Sequence, residues 1–137
     1  MGTNYYVECE IESGIRERLH IGKSSCGWVF SLRRYRSRGL VYWSDWRSFL
    51  DNDAFLLFDE YGNDVLFDEL CSLVEDRSYV GRSYPFRVFG QIYIDERAWA
   101  DNAGGVVGPR GLLRHRLKGG CVEWGEGTWD YIECEFS

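Results

Sequence analysis

The chain has 137 residues, of which 45% are apolar and 17% aromatic, with a formal net charge of −6. This is the commonest size for one domain, and eight Phe, nine Tyr and six Trp supply ample surface for a core, so global disorder is excluded. An acidic chain lacks the cation excess that binding to duplex DNA draws on, so duplex DNA is not an expected partner.

No charged segment leads into an apolar stretch at the start, and no apolar run approaches the length of a membrane span, so neither secretion nor membrane insertion is expected. The five cysteines (Cys9, Cys26, Cys71, Cys121 and Cys134) are odd in number and include no Cys-x-x-Cys pair. The pattern predicts reduced, mostly buried thiols rather than a disulfide framework or a zinc ribbon. Charge is unevenly spread: residues 1–48 carry eight Lys/Arg against five acids, and residues 49–80 carry nine acids against Arg77 alone. The fold therefore has the means to present one basic and one acidic face.

In chain order, Asn4 to Ile11 is rich in strand formers, Ser13-Gly14 is a turn, and Glu17 to Lys23 alternates Leu19 and Ile21 with polar residues as a second strand. Gly22 to Gly27 reads as a loop and Trp28 to Leu32 as a third strand. Ser44-Asp45 fits a helix N-terminus, with Trp46, Phe49 and Leu50 on one face. Phe55 to Phe58 and Val65-Leu66 flank a turn, a hairpin pattern. Phe67, Leu70, Cys71 and Val74 recur at helical spacing, with acids in the first turn and Arg77 in the last, so Phe67 to Arg77 is predicted as the best helix. Ser78 to Pro85 reads as loop, Phe86 to Ile94 as a strand broken by Gly90, and Asp95 to Asp101 as a helical turn. Cys121 to Trp124 and Thr128 to Cys134 flank Gly125-Glu126-Gly127 as a terminal hairpin. No repeat or linker divides the chain. The expectation is one α+β domain over residues 1–137, mainly an antiparallel sheet with two or three short helices.

Few residues invite a chemical role. Gly22-Lys23-Ser24 echoes the end of a phosphate loop, but the longer glycine cradle before it and the helix after it are missing. A polar turn is one reading, and a local anion contact through Lys23, Ser24 and Ser25 is another. The densest basic stretch holds Arg33, Arg34, Arg36 and Arg38 around Tyr35, a mixture suited to phosphates and stacked bases, or else to a solvated loop balancing the acidic stretch 49–80. His20 and His115 are the only histidines and lie far apart in sequence. Asp59, Glu60 and Asp64 lack the regular oxygen spacing of a calcium loop, so no metal is expected there. No nucleophile elbow, zinc-protease motif or dinucleotide fingerprint is present, so neither catalytic residues nor a cofactor are assigned.

Thr3-Asn4-Tyr5-Tyr6, then Leu19-His20-Ile21-Gly22-Lys23-Ser24-Ser25 with Gly27-Trp28 and Phe30-Ser31-Leu32, resembles an uncharacterised family of small bacteriophage proteins. Ser44-Asp45-Trp46, Asp59-Glu60-Tyr61-Gly62 and Glu135-Phe136-Ser137 are also similar. Many members of that family hold a Cys-x-x-Cys pair between the first two blocks; this chain has Cys9 alone there, so a zinc site does not carry over. The resemblance implies a protein of the host cytoplasm with no established activity. Three roles follow as expectations. The first is an accessory protein that binds and inhibits a host protein, of the host's defence apparatus, with Trp28, Tyr35 and Trp43 at the contact. The second is a nucleotide-binding protein that sequesters or cleaves a small phosphorylated signal through His20, Lys23, Ser24, Ser25 and Arg33, Arg34, Arg36 and Arg38. The third is a structural or assembly role in a homo-oligomer.

Overall fold

The structure is a computed structural model and describes residues 2–79, 84–88, 90–116 and 120–137. Two eleven-residue strands open it, β1 (Gly2–Glu12) and β2 (Ile15–Ser25), joined at Ser13-Gly14, where Gly14 takes the positive φ of a tight turn. There follow β3 (Phe30–Arg33), a single 3-10 turn (Arg36–Arg38), α1 (Trp43–Leu50), β4 (Leu56–Asp59) and α2 (Phe67–Glu75). The second half runs β5 (Phe86–Val88), β6 (Gln91–Tyr93), α3 (Glu96–Ala103), β7 (Gly105–Val107), β8 (Leu113–His115), β9 (Val122–Trp124) and β10 (Trp129–Ile132). The main sheet has the order β4-β1-β2-β3-β10-β9 and is antiparallel except where β10 joins β3 in parallel. Two separate two-stranded ribbons, β5-β6 and β7-β8, complete an α+β fold.

Alternation along the strands decides which face is dry. Val7, Leu19, Ile21, Phe30, Leu32 and Tyr131 point to one side, where they meet Trp43, Trp46 and Leu50 of α1 and Leu70, Cys71 and Val74 of α2. Trp46 is fully buried, and its indole N–H donates to the Arg33 carbonyl at 2.7 Å. Burial of that ring alone is worth about 4–6 kcal/mol of transfer free energy. A smaller cluster covers the far side of β10. There Trp28 bridges to Leu113, and the guanidinium of Arg114 lies 3.0 Å from the fully buried carboxylate of Asp130.

Several expectations change. The Gly22 to Gly27 loop is mostly strand, because β2 continues to Ser25 and leaves only Cys26 and Gly27 to turn. Gly22 is a packing residue: a Cβ there would run into the Ser31 main-chain oxygen and the Phe30 ring. Ser44 does not cap α1. The cap is Tyr42, and the Asp45 carboxylate reaches back to accept from the Tyr42 N–H at 2.8 Å. The predicted hairpin after Phe55 is present in short form: β4 pairs with β1, and on its other side the chain returns through an antiparallel bridge between Phe58 and Asp64, with the Asp59 N–H donating to the Asn63 carbonyl and the Val65 N–H to the Leu57 carbonyl, both at 3.0 Å. The segment Phe86 to Ile94 is a ribbon rather than one broken strand, and β7 and β8 have no counterpart in the sequence reading. Of the loop predicted from Ser78 to Pro85, residues 80–83 lie outside the described residues. The thiols are not all free. Cys121 and Cys134, flanking the β9-β10 hairpin with Cα atoms 5.5 Å apart, form a disulfide, whereas Cys9, Cys26 and Cys71 remain thiols.

Candidate functional site

The predicted phosphate ligands are not gathered in one place. Arg34 is buried, donating to Glu123 at 2.5 Å, to Glu133 at 3.1 Å and to the Val41 carbonyl at 2.7 Å, with its guanidinium over the Tyr131 ring. Arg36 is held by Glu133 and Arg38 by Glu17, so three of the four arginines serve the fold, and their partners lie outside the acidic stretch 49–80. Ser24 and Ser25 accept from Arg77, at the side-chain oxygen of Ser24 (2.7 Å) and the carbonyl of Ser25 (2.8 Å). Lys23 donates to the main-chain oxygen of Ser137 at 3.1 Å.

Of the proposed contact aromatics, Trp43 is buried and donates to Glu75 at 2.6 Å, so it offers no surface. Trp28 is half-buried against His115. His115 lies 3.4 Å from Asp130 and shares no contact with His20, so the two histidines do not form a pair.

His20, Arg33 and Tyr35 do come together: Tyr35 reaches in from the edge of the main core, where its ring also meets Trp46, and His20 and Arg33 lie on the side of the sheet away from that core. β2 presents Arg18 and His20 on that side, because Leu19 and Ile21 between and beside them point into the core. Across the β1-β2 pair, Tyr6 faces His20. β3 contributes Arg33 between core residue Leu32 and buried Arg34, and Tyr35 follows it. Together with Glu135 and Phe136 these residues line a cavity of about 290 Å³. A second cavity of about 280 Å³ shares Tyr6 and Arg18 and adds Phe58, Asp59, Glu60 and Gly62.

The histidine is firmly placed. Its main-chain N–H donates to the Tyr35 hydroxyl at 3.0 Å, and its Nε2 is 2.8 Å from Asn4 Oδ1. The Asn4 amide nitrogen faces Glu60 at 3.4 Å, which leaves the amide oxygen for the imidazole and makes Nε2 the donor. The ring sits between Tyr6 (5.3 Å between centroids) and Phe136 (4.7 Å). Burial, with the Arg33 charge second, pushes its pKa below the ordinary 6.5, so the imidazole is neutral at physiological pH.

The two cations are arranged differently from those in the fold's ion pairs. Arg18 lies 4.8 Å over the Phe58 ring and 5.9 Å over Tyr6; Arg33 lies 4.8 Å over Tyr35. Among the described residues neither has a carboxylate within salt-bridge distance, and Arg33 Nε is buried with no hydrogen-bond partner. Rings hold the guanidiniums in place while their charge stays available.

Sequence reasoning missed Arg18, Tyr6, Phe58 and Phe136. Arg18 was within reach, being two residues from His20 on a strand and so on the same face. No family model, curated protein or solved structure matches the chain.

Proposed function

We propose that the protein works by binding, as an accessory protein of the phage type that occupies and inhibits a host protein, one of the host's defence components, in the host cytoplasm. The observation that carries this reading is the pair Arg18 and Arg33. These are two charge-unpaired guanidiniums seated on aromatic rings in one shallow cavity beside a neutral histidine. Arginine and tyrosine are enriched among the residues that dominate the energy of protein interfaces. The block Leu19 to Ser25, on which the phage resemblance rests, contributes His20 to this cavity. The reading based on a phosphorylated signal is less well supported, because Lys23, Ser24, Arg34, Arg36 and Arg38 are engaged within the fold.

The test is capture from a bacterial lysate with the immobilised chain, followed by reconstitution with the purified captured protein. The reading expects Arg18→Ala with Arg33→Ala to weaken the reconstituted complex at least about thirtyfold, the range of an arginine hot spot. An affinity unchanged by the double substitution refutes the assignment of this face.

A further inference from the structure

The chain already carries a fragment that occupies this face. After β10 the residues from Glu133 onward turn back across β2 and β3, and Glu135 and Phe136 line the same cavity as Arg18, His20 and Arg33. The Phe136 ring packs at a tilt against His20, 4.7 Å between centroids, and the Ser137 main-chain oxygen accepts from the Lys23 ammonium. The aromatic half of this occupant is well seated. Its acidic half is not, because Glu135 is exposed and has no ion pair with either guanidinium. Among the described residues the buried donor Arg33 Nε has no acceptor.

We propose that residues 135–137 are a resident, displaceable cover, and that the partner inserts an acidic segment carrying an aromatic residue in their place. This inference rests on the binding reading above and specifies the chemistry of the partner. An incoming carboxylate that reaches Arg18 and Arg33 gains the charge-assisted bonds that Glu135 does not make. An incoming ring takes the position of Phe136 on the imidazole. Exchange then costs one aromatic contact and one lysine bond, and returns the same contact plus paired guanidiniums. The neutral state of His20 suits this exchange, because it adds no charge to be desolvated beneath the ring.

The experiment uses the full chain and a fluorescein-labelled synthetic peptide of alternating Glu and Phe, read by fluorescence anisotropy, with a Lys-Phe peptide as control. Binding of the Glu-Phe peptide alone is expected, weakened at least about tenfold by Arg33→Ala. Phe136→Ala is expected to tighten it about three- to tenfold, since the cover loses one aromatic contact and the open population rises. Phe136→Leu should fall between. Circular dichroism melts of each variant separate a lost site from a lost fold.

Equal binding of both peptides, or a Phe136→Ala variant that binds no tighter, overturns the proposal. Displacement of the bound peptide by inorganic phosphate or ATP at concentrations that leave the control signal unchanged overturns it too, in favour of a phosphate site. If no peptide binds yet the reconstituted complex still depends on Arg18 and Arg33, the acidic-segment inference fails and the binding reading stands. If the complex ignores both arginines, the binding reading fails.

Discussion

Replacing Arg34 with methionine tests how a charge that looks like part of a binding stretch serves the fold instead. Its side chain is only 2% exposed, while its carboxylate partners Glu123 and Glu133 are 62% and 29% exposed. Methionine keeps the length and most of the packing, so the loss is polar. The Val41 carbonyl loses its donor, which costs about 1–3 kcal/mol. The stacking of the guanidinium on Tyr131, 4.1 Å away, is worth about 1–2 kcal/mol. The ion pairs add at most about 1 kcal/mol, because Glu123 rehydrates and Glu133 keeps Arg36. Against this, a guanidinium no longer has to be desolvated, which returns part of the sum. The net expectation is a loss of about 2 kcal/mol, or about 7 °C in Tm for a chain of this length. Urea and thermal denaturation followed by circular dichroism measure it.

The pH dependence is a second readout of the same substitution. Arg36 first, and Arg34 after it, hold Glu133 below its ordinary 4.5. A carboxylate depressed in the folded state stabilises above its unfolded pKa and loses that contribution as pH falls through the folded value. The gap between wild type and Arg34→Met should therefore narrow in acid. A neutral or more stable variant would refute the reasoning, since it would mean that burying the guanidinium costs as much as its partners return.

The Cys121–Cys134 bond closes a loop with a sequence separation of 13, for which chain entropy gives about 3 kcal/mol, so Cys121→Ser with Cys134→Ser should lower Tm by about 10 °C. Alkylation in denaturant without reductant, counted by mass spectrometry, should label the three thiols Cys9, Cys26 and Cys71 and leave the other two unlabelled. His20 makes stability pH-dependent near neutrality. Its folded pKa is depressed, so the unfolded chain takes up a proton first and stability falls as pH drops below 6.5. Melts at pH 7.5 and 5.5 should show this decline in wild type and a flatter profile in His20→Asn.

The parts of this protein that were legible in its sequence are those whose cause is local. Trp46, Phe49 and Leu50, and then Phe67, Leu70, Cys71 and Val74, fall on helical faces that α1 and α2 bury or half-bury. Leu19 and Ile21 alternate as β2 requires. The arginine run 33–38 was misleading for the opposite reason. Arg34 and Arg36 find carboxylates 89 to 99 positions away, and no local pattern announces a partner at that separation. The site divides in the same way. His20 and its strand neighbour Arg18 follow from alternation, whereas Phe136 reaches the first cavity and Phe58 the second only because the segment after β10 and β4 are brought to β1 and β2 by the fold.

The parallel pairing of β10 with β3 also governs how the molecule comes into being. Phe30 lies beside Trp129 in that pair, so the contact spans most of the chain, and Tyr131 from the late strand fills the same core as the early ones. During synthesis β1, β2 and β3 emerge long before their last neighbour, and the apolar edge at Phe30 and Leu32 must wait with its backbone groups unpaired. For that interval the nascent chain is a sheet with an open seam, the form in which a protein is most prone to pair with another copy of itself. The cavity under Phe136 is completed by residues made later still, so that face of the sheet is finished only after the seam has closed.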